Sequence, residues 1–240
     1  MTDSRRHVLA CLFSALICGS CLAQLTVTAS VATATAGQKG KSAEASNVAV
    51  WLTPMEGTVV PDSNPNAPRP RLLQHNKSFE PHVLIIKVGS QVEFPNRDPF
   101  FHNVFSLFDG KRFDLGLYEA GTTRNVLFDK PGVSYIFCNI HAEMSAVVIA
   151  VNTPYYGVSD RKGQIVIPNV APGRYVSHVW YESALPETLN ALAHEVTISE
   201  NNATLGVLRL SPSKPQEAHK NLYGHDYPPP APTSPGYQRP

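Results

Sequence analysis

The sequence predicts an all-β protein, and three of its features lead to this prediction. Apolar and polar residues alternate with period two in many short runs, such as "QLTVTASVAT", which is the pattern of strands with one buried face. Turn-forming Gly, Pro and Asn residues separate these runs at short intervals. Helical periodicity is missing, apart from room for a short turn in "ESALPETLNALAHE". Many short strands with frequent turns are typical of a β-sandwich or barrel.

Along the chain, the strand-forming runs fall into an early, a central and a late group. The early group comprises "QLTVTASVAT" and "NVAVWL". In the central group, "HVLIIKVGSQVEF" predicts two strands broken at Gly89, "RNVLFDKPGVSYIFC" predicts a pair around Lys130-Pro131-Gly132, and "MSAVVIAVN" predicts one strand more. In the late group, "DRKGQIVIPNVAPGRYVSHVWY" predicts a hairpin and "HEVTISENNATLGVLRL" predicts two further strands.

The two ends of the chain and one internal stretch do not fit the strand pattern. Residues 1–23 have a basic start, then an apolar run, and end on small residues. The apolar run is shorter than a membrane span, which needs about 20 residues. We expect an export signal there, using the Sec or the twin-arginine route, and hence a periplasmic or secreted mature protein. Residues 57–69 are rich in Pro and Asn and predict a linker. Residues 211–240 are Pro-rich and predict a disordered tail.

The expected mature chain carries no formal net charge, because removal of residues 1–23 leaves 18 basic and 18 acidic residues. Nucleic acids and anionic membrane surfaces attract proteins through runs of Lys and Arg. The sequence has no such run, and it has no apolar segment long enough to span a membrane. We therefore expect neither a nucleic acid partner nor a membrane span.

Cys138 is the one cysteine of the expected mature chain, since the other three lie in the export signal. A lone cysteine cannot form an internal disulfide, which leaves a buried filler, an intermolecular link or a chemically used thiol. The segment "CNIHAEM" places His141 three residues after Cys138 and Met144 three residues further on. These neighbours favour a chemical use of the thiol.

His102 follows "FPNRDPFF" and completes a candidate metal site with Cys138, His141 and Met144. A thiolate and two imidazoles suit several borderline or soft metals, and a weak thioether as fourth ligand selects for copper. Zinc sites use Cys, His and carboxylates instead. A His₂Cys plane with a long axial Met lies between the preferences of Cu(I) and Cu(II), so little must rearrange when an electron moves. Taken singly, each residue is more often a core or surface residue; together they predict one bound copper ion.

The central region, residues 70–153, resembles the cupredoxins, the family of plastocyanin and amicyanin. The resemblance is carried by "FEPHVLIIKVGSQVEFPNRD", "FHNVFS" and "FDKPGVSYIFCNIHAEMSAVVIAV", and the Cys-x₂-His-x₂-Met spacing is similar to that of amicyanin. It implies a Greek-key sandwich of the eight-strand type and a type 1 copper ion. The copper ligands that it implies are His102, Cys138, His141 and Met144. It also implies that Asn103 ties the two ligand segments together. Where the family usually has aromatic residues before the cysteine, this chain has Ser134 and Ile136.

The regions on either side, residues 24–56 and 154–210, resemble a second family, the carboxypeptidase-regulatory-like sandwiches of transthyretin type. "SDRKGQIVIPNVAPGRYVSHVWY" has an Asp-x-x-Gly turn, a strand, Pro-Gly-x-Tyr and a Val-Trp strand, and "GKSAEASNVAVWLTP" is similar to the first strands. This resemblance implies a second small sandwich, with the cupredoxin segment inserted in it or joined to it. The whole arrangement resembles bacterial proteins of the methylamine-utilisation type.

Two functional hypotheses follow, together with a third that the sequence disfavours. The first is a periplasmic carrier of single electrons that cycles between Cu(I) and Cu(II), with redox partner proteins docking near His141. The apolar docking residues that we expect are Pro99, Phe100, Phe101 and Ala142. The alternative is a copper-handling or structural binding module without rapid redox turnover. The third is an enzyme with Cys138 as nucleophile; since four metal ligands leave no room for a substrate, we expect no enzymatic activity.

Overall fold

The computed structural model describes residues 24–33, 45–58, 68–107, 110–211 and 219–228. The expected export signal and most of the expected linker and tail lie outside these residues. The described residues form sixteen strands and one short helix, so the prediction of an all-β fold is confirmed. In chain order the elements are β1 (Leu25–Thr33), β2 (Ala49–Pro54), β3 (Leu73–His75), β4 (Ser78–Glu80), β5 (Val83–Lys87), β6 (Ser90–Pro95), β7 (His102–Ser106), β8 (Phe113–Tyr118), β9 (Thr123–Phe128), β10 (Gly132–Phe137), β11 (Ser145–Val151), β12 (Tyr156–Val158), β13 (Gln164–Val170), β14 (Gly173–Trp180), α1 (Pro186–Ala191), β15 (His194–Ile198) and β16 (Thr204–Leu210).

The early and late strands together form one sandwich of two sheets, which we call the outer sandwich. One sheet has the strand order β13-β1-β16, and the other has the order β12-β2-β14-β15. Alternate residues of β1, namely Val27, Ala29 and Val31, point into the core between the sheets and meet Leu52 and Tyr175 from the other sheet. The period-two pattern that predicted β1 is therefore the alternation between its core face and its solvent face.

Strands β3 to β11 form a second unit, the inner sandwich, and their segment lies between β2 and β12 in the chain. Its larger sheet has the order β5-β11-β10-β7-β8, and the pairs β3–β4 and β6–β9 lie opposite. A parallel bridge between Gln74 and Asn96 joins these two pairs. The chain passes back and forth between the layers, as it does in Greek-key sandwiches. Phe94, Phe128 and Ile136 are fully or almost fully buried between them.

The two sandwiches pack against each other through the outer face of β11. Strand β11 reads "SAVVIAV", and all of its residues after Ser145 are buried. A continuous apolar run of this kind is typical of a strand with both faces covered. One face of β11 meets the core of the inner sandwich, while Val147 and Ile149 on the other face pack with Ala49 and Trp180 of the outer sandwich.

The predicted hairpin in the late group is wrong. Strand β13 pairs with β1, and β14 pairs with β2 and β15, so the Pro172-Gly173 turn is a crossover between two sheets. The hydroxyl of Tyr175 donates to the carbonyl oxygen of Ala171 at 2.6 Å and holds this crossover in place. Likewise, β9 and β10 follow each other in the chain but belong to different sheets. Alternation of apolar and polar residues indicates that a strand has one buried face. Strands of both sheets direct their apolar faces into the same core, so the alternation does not identify the neighbouring strand.

Helix α1 is the short turn that the sequence allows in "ESALPETLNALAHE". None of the helical structure in the described part of the chain is long and apolar enough to cross a membrane.

Candidate metal centre

Two neighbouring strands bring three of the four predicted ligands, His102, Cys138 and His141, together at one end of the inner sandwich. His102 is the first residue of β7, and Cys138 directly follows the last residue of β10. Since β7 and β10 are antiparallel neighbours, the start of one lies beside the end of the other. His141 and Met144 follow in the connection between β10 and β11, residues 138–144, which we call the ligand loop.

His102, Cys138 and His141 form a compact cluster of potential ligand atoms. The sulfur of Cys138 lies 3.8 Å from Nδ1 of His102 and 3.6 Å from Nδ1 of His141, and the two Nδ1 atoms are 3.1 Å apart. A point equidistant from the three atoms is about 2 Å from each, close to the usual lengths of metal–nitrogen bonds, about 2.0–2.1 Å, and of metal–sulfur bonds, about 2.3 Å. Cys138 and His102 are fully buried, and His141 is half-buried. The donor set and its spacing therefore fit a transition-metal ion.

Met144 ends the ligand loop, and its side chain is fully buried. Its carbonyl oxygen accepts the N–H of Cys138 at 3.2 Å, and its own N–H donates to the carbonyl oxygen of His141 at 3.1 Å. These two hydrogen bonds close the loop into a compact turn that begins and ends at sulfur-containing residues.

Asn103, expected to tie the two ligand segments together, directly follows His102 on β7. Its side-chain amide donates to Asp114 of β8 at 2.7 Å, which links β7 to β8. Its backbone N–H acts to lower the pKa of the Cys138 thiol and so favours the thiolate form. The side-chain oxygen of Asn103 is buried and accepts no hydrogen bond among the described residues.

A buried carboxylate orients the ring of His102. Nε2 of His102 lies 2.8 Å from Oδ2 of Asp98, and the two residues are only 0% and 4% exposed. Burial lowers the pKa of His102 by more than Asp98 raises it, so the ring is neutral at neutral pH. The single proton of the neutral ring lies on Nε2, facing Asp98, which leaves the Nδ1 lone pair toward Cys138 and His141. Histidine ligands of metals are commonly oriented by a carboxylate in this way.

Asp98 is itself held by the tight turn between β3 and β4. Asn76 and Lys77 have left-handed backbone angles, with φ of 53° and 54°, as a two-residue type I′ turn requires. Their N–H groups donate to Asp98 at 2.7 Å and 3.0 Å. Burial alone raises the pKa of Asp98, but the hydrogen bonds from Lys77, His102 and Asn76 together hold this pKa below its ordinary value. A turn in the opposite sheet thus fixes the carboxylate that orients His102.

The functional role of Asp98 was missed from the sequence. A carboxylate four residues before a candidate histidine ligand was the available signal. Its other partners lie 21 and 22 residues upstream, in the β3–β4 hairpin, which was not among the predicted elements. Only the packing of the two sheets brings that hairpin to Asp98.

The acid–base state of the metal-free cluster follows from its burial. Burial raises the pKa of the Cys138 thiol, although the backbone N–H groups of Ile140, Asn103 and His141 favour the thiolate. Burial, followed by the nearby charge of His102, lowers the pKa of His141 to about 4. At neutral pH the cluster therefore holds two neutral imidazoles and a protonated thiol. Binding of a metal as thiolate must release the thiol proton.

Aromatic and apolar side chains flank the outer edge of the cluster. The ring of Phe100 is half-buried, and its centroid lies 5.2 Å from that of His102 and 5.6 Å from that of His141. The adjacent Phe101 is 56% exposed. Further exposed apolar residues in the two ligand segments are Pro99, Ile140 and Ala142.

Residues 219–228, which we call the C-terminal strap, pack against the start of the ligand loop. The hydroxyl of Tyr227 donates to the carbonyl oxygen of Cys138 at 2.6 Å. The ring of His219 stacks on Phe137, with 4.1 Å between the ring centroids. These residues lie within the segment for which a disordered tail was predicted, and their aromatic side chains contact a surface that the sequence alone did not reveal.

The fold and the cluster define a class of protein, a β-sandwich with a His₂Cys group at one end of a sheet. No protein-family model and no curated protein matches this chain. Among solved structures, a Cu-containing nitrite reductase (NirK) from Thermus scotoductus SA-01 is 25% identical with a TM-score of 0.34, and the match covers 39% of this chain. The same match covers 25% of the reductase, so this chain spans about a quarter of the length of that protein.

Two smaller proteins are also similar to part of the chain. A purple cupredoxin from Nitrosopumilus maritimus is 22% identical with a TM-score of 0.31, over 34% of this chain and 99% of the cupredoxin. A reduced tryptophan-to-tyrosine variant of amicyanin is 20% identical with a TM-score of 0.33, over 35% of this chain and 82% of amicyanin.

Proposed function

We propose that this protein is an exported cupredoxin-type copper protein that carries single electrons between redox partners. The observation that carries the proposal is the buried cluster of His102, Cys138 and His141, whose three ligand atoms lie 3.1–3.8 Å apart. Two imidazoles and one thiolate in a plane are the ligand set of blue-copper electron-transfer sites, with a methionine as the weak axial ligand. Met144, buried at the end of the same loop, is the residue that we propose for the axial position.

Copper bound in this way would supply a one-electron couple, taking an electron from a donor protein as Cu(II) and giving it up as Cu(I). The contribution of the chain is to keep the ligands in one arrangement for both states. Three features support such rigidity. His102 is hydrogen-bonded to Asp98, and the backbone N–H of Cys138 is hydrogen-bonded to the carbonyl oxygen of Met144. Backbone N–H groups also favour the thiolate form of Cys138. A site with little freedom to rearrange has a small reorganisation cost, which favours fast electron transfer.

We further propose that electrons enter and leave through His141. It is the half-buried member of the cluster, whereas His102 and Cys138 are fully buried. The half-buried Phe100 beside it and the exposed Phe101 offer a small apolar surface, suited to brief contacts with a partner protein. The complete burial of Cys138 also supports a carrier rather than an enzyme with a nucleophilic thiol.

Copper loading of a Cys138→Ser variant tests the ligand assignment. We expect the wild-type protein with Cu(II) to show intense visible thiolate-to-copper absorption and the variant to lose it, because serine offers no thiolate. A matched control is His194→Ala, which removes an exposed histidine of the outer sandwich and should leave the absorption unchanged. Visible absorption that persists in Cys138→Ser would rule the assignment out.

Voltammetry of the copper-loaded protein then separates the carrier from a copper-handling or storage module. We expect a fast and reversible one-electron response. A slow or irreversible response in a protein that does bind copper would favour storage or delivery.

A further inference from the structure

We propose that the C-terminal strap is part of the copper site and acts as a clamp that keeps the ligand loop closed, with Tyr227 and His219 as positioning residues. This inference rests on the proposed copper function. Neither residue belongs to the cluster of ligand atoms, and the tail that contains them was expected to be disordered.

The strap contacts three consecutive residues, namely the last residue of β10 and the first two residues of the ligand loop. Tyr227 donates its hydroxyl proton to the carbonyl oxygen of Cys138 at 2.6 Å. The backbone N–H of Leu222 donates to the side-chain oxygen of Asn139 at 2.8 Å. His219 stacks on Phe137, with an angle of 23° between the rings.

These contacts complete the hydrogen bonding of the Cys138 backbone. Its N–H is bound to the carbonyl oxygen of Met144, within the loop, while its carbonyl oxygen is bound to Tyr227 of the strap. Cys138 follows the end of β10 directly, so the sheet ladder no longer fixes it. The strap therefore supplies the restraint on the Cys138 carbonyl that the sheet does not provide.

Phe137 provides the reason why a strap is needed at this place. Its neighbour Ile136 faces the core of the inner sandwich, so Phe137 points to the opposite face of the sheet. Tyr135, two residues earlier on that face, packs with the outer sandwich. Phe137 is only 9% exposed, and it stacks with His219 of the strap. The strap thus covers this face of the sheet at Phe137, the end of β10 that lies next to the candidate metal site.

The strap has a defined internal structure, as a clamp requires. The side-chain oxygen of Asn221 accepts the N–H groups of Tyr223 and His225, each at 3.0 Å, and the Asn221 N–H donates to the His225 carbonyl oxygen at 2.9 Å. Tyr227 and His219, at the two ends of the strap, lie edge to face, and the Tyr227 oxygen is 3.3 Å from Nδ1 of His219. The two contact residues thereby support each other.

Movement of the ligand loop away from β7 would separate Cys138 and His141 from His102 and so free a bound copper ion. A clamp on residues 137–139 opposes this opening, so loss of the clamp should speed release. Outer groups that orient metal ligands typically contribute about 10–100-fold to metal affinity. We expect Tyr227→Phe and His219→Ala each to speed transfer of copper to a Cu(I) chelator by about tenfold.

The strap contains its own matched controls. Tyr223 is 73% exposed and its hydroxyl makes no hydrogen bond among the described residues, and His225 is also exposed. Tyr223→Phe and His225→Ala should therefore release copper at the wild-type rate. Equal release rates for Tyr227→Phe, Tyr223→Phe and the wild type would overturn the proposal.

Hydrogen exchange of the metal-free full-length protein provides a measurement that does not depend on copper. The backbone amides of residues 138–141 should exchange faster in Tyr227→Phe and His219→Ala than in the wild type, while amides of β13 in the outer sandwich should not change. Unchanged exchange in the ligand loop would refute the clamp even if copper binds.

If the wild type takes up no copper but the exchange rates differ as expected, the proposed copper function fails while the strap contact stands. If either variant also exchanges faster in β13, the substitution acts by destabilising the whole fold, and the clamp is refuted for that residue.

Discussion

The carboxylate of Asp98 gives the sharpest test of how the site is held together, through the substitution Asp98→Asn. The two carboxylate oxygens accept three N–H groups: Asn76 on Oδ1, and Lys77 and His102 on Oδ2, at 2.7, 3.0 and 2.8 Å. Asparagine has one oxygen and one NH₂ group. Whichever way the amide is placed, its NH₂ group must face at least one of these N–H donors.

The cost follows from this mismatch. With the amide oxygen at the Oδ2 position, the N–H of Asn76 is left without an acceptor. With the oxygen at the Oδ1 position, Lys77 loses its acceptor and Nε2 of His102 faces a donor. A buried N–H without a partner costs about 1–3 kcal/mol. Asn76 and Lys77 are exposed and their hydrogen bonds to Asp98 are part-buried, so water offsets part of this cost, while the remaining hydrogen bonds lose the assistance of a negative charge. We therefore expect a loss of about 1–3 kcal/mol in the free energy of unfolding of the metal-free protein at neutral pH.

Urea denaturation of the metal-free protein, followed by circular dichroism, measures this loss. The pKa of Asp98 is depressed in the folded state, so its stabilising contribution is complete above the unfolded pKa, near the ordinary value of 3.8, and is lost as the pH falls through the folded pKa. The stability curves of the wild type and the variant should therefore converge in acid. The control is Asp129→Asn, which removes an exposed carboxylate paired with Lys111 and should leave the midpoint unchanged. An Asp98→Asn variant as stable as the wild type at neutral pH, or a deficit that is the same at all pH values, would refute the reasoning.

Two further predictions concern the pH dependence and the core. The pKa of His141 is lowered to about 4 from an ordinary value of 6.5, so between these values the unfolded chain binds a proton that the folded chain does not; stability of the metal-free protein should fall as the pH is lowered across this range, and a flat profile would contradict the assignment. Phe94 is fully buried in the inner sandwich, and Phe94→Ala should lower the free energy of unfolding by about 3–5 kcal/mol. Leu127→Ala, at a 49% exposed position on the paired strand β9, should change the free energy of unfolding by less than about 0.5 kcal/mol. Equal effects of the two substitutions, measured by urea denaturation, would contradict the assignment of Phe94 to the core.

Much of the secondary structure could be predicted from local patterns, because a strand with one buried face leaves a period-two record in its own residues. The break at Gly89 is an example: strands β5 and β6 end and begin around it, and its φ of 90° is one that glycine adopts readily. Strand β11 is another, since its unbroken apolar run records that both faces are covered.

Strand pairing could not be predicted in the same way. The residues of β13 and β14 are close in the chain and alternate alike, yet they belong to opposite sheets. The free energy of burying their apolar faces is nearly the same in either arrangement, so the local pattern contains no information on the choice. The crossover is decided by contacts such as that of Tyr175 with Ala171, and by the other strands available for pairing.

By itself, the sequence determined the chemical character of the candidate site: a thiol, two imidazoles and a thioether at spacings that suit a soft metal, within a chain rich in short strands. Those properties depend on residue types and on neighbours along the chain, which a sequence records directly. Only the tertiary structure decided which groups control the cluster. Asp98, the hairpin that holds it and the strap that meets Cys138 come from segments up to 89 residues apart in the chain. Contacts of this kind arise when packed layers close around a common core, and no local pattern of residues encodes which distant segments will then lie side by side.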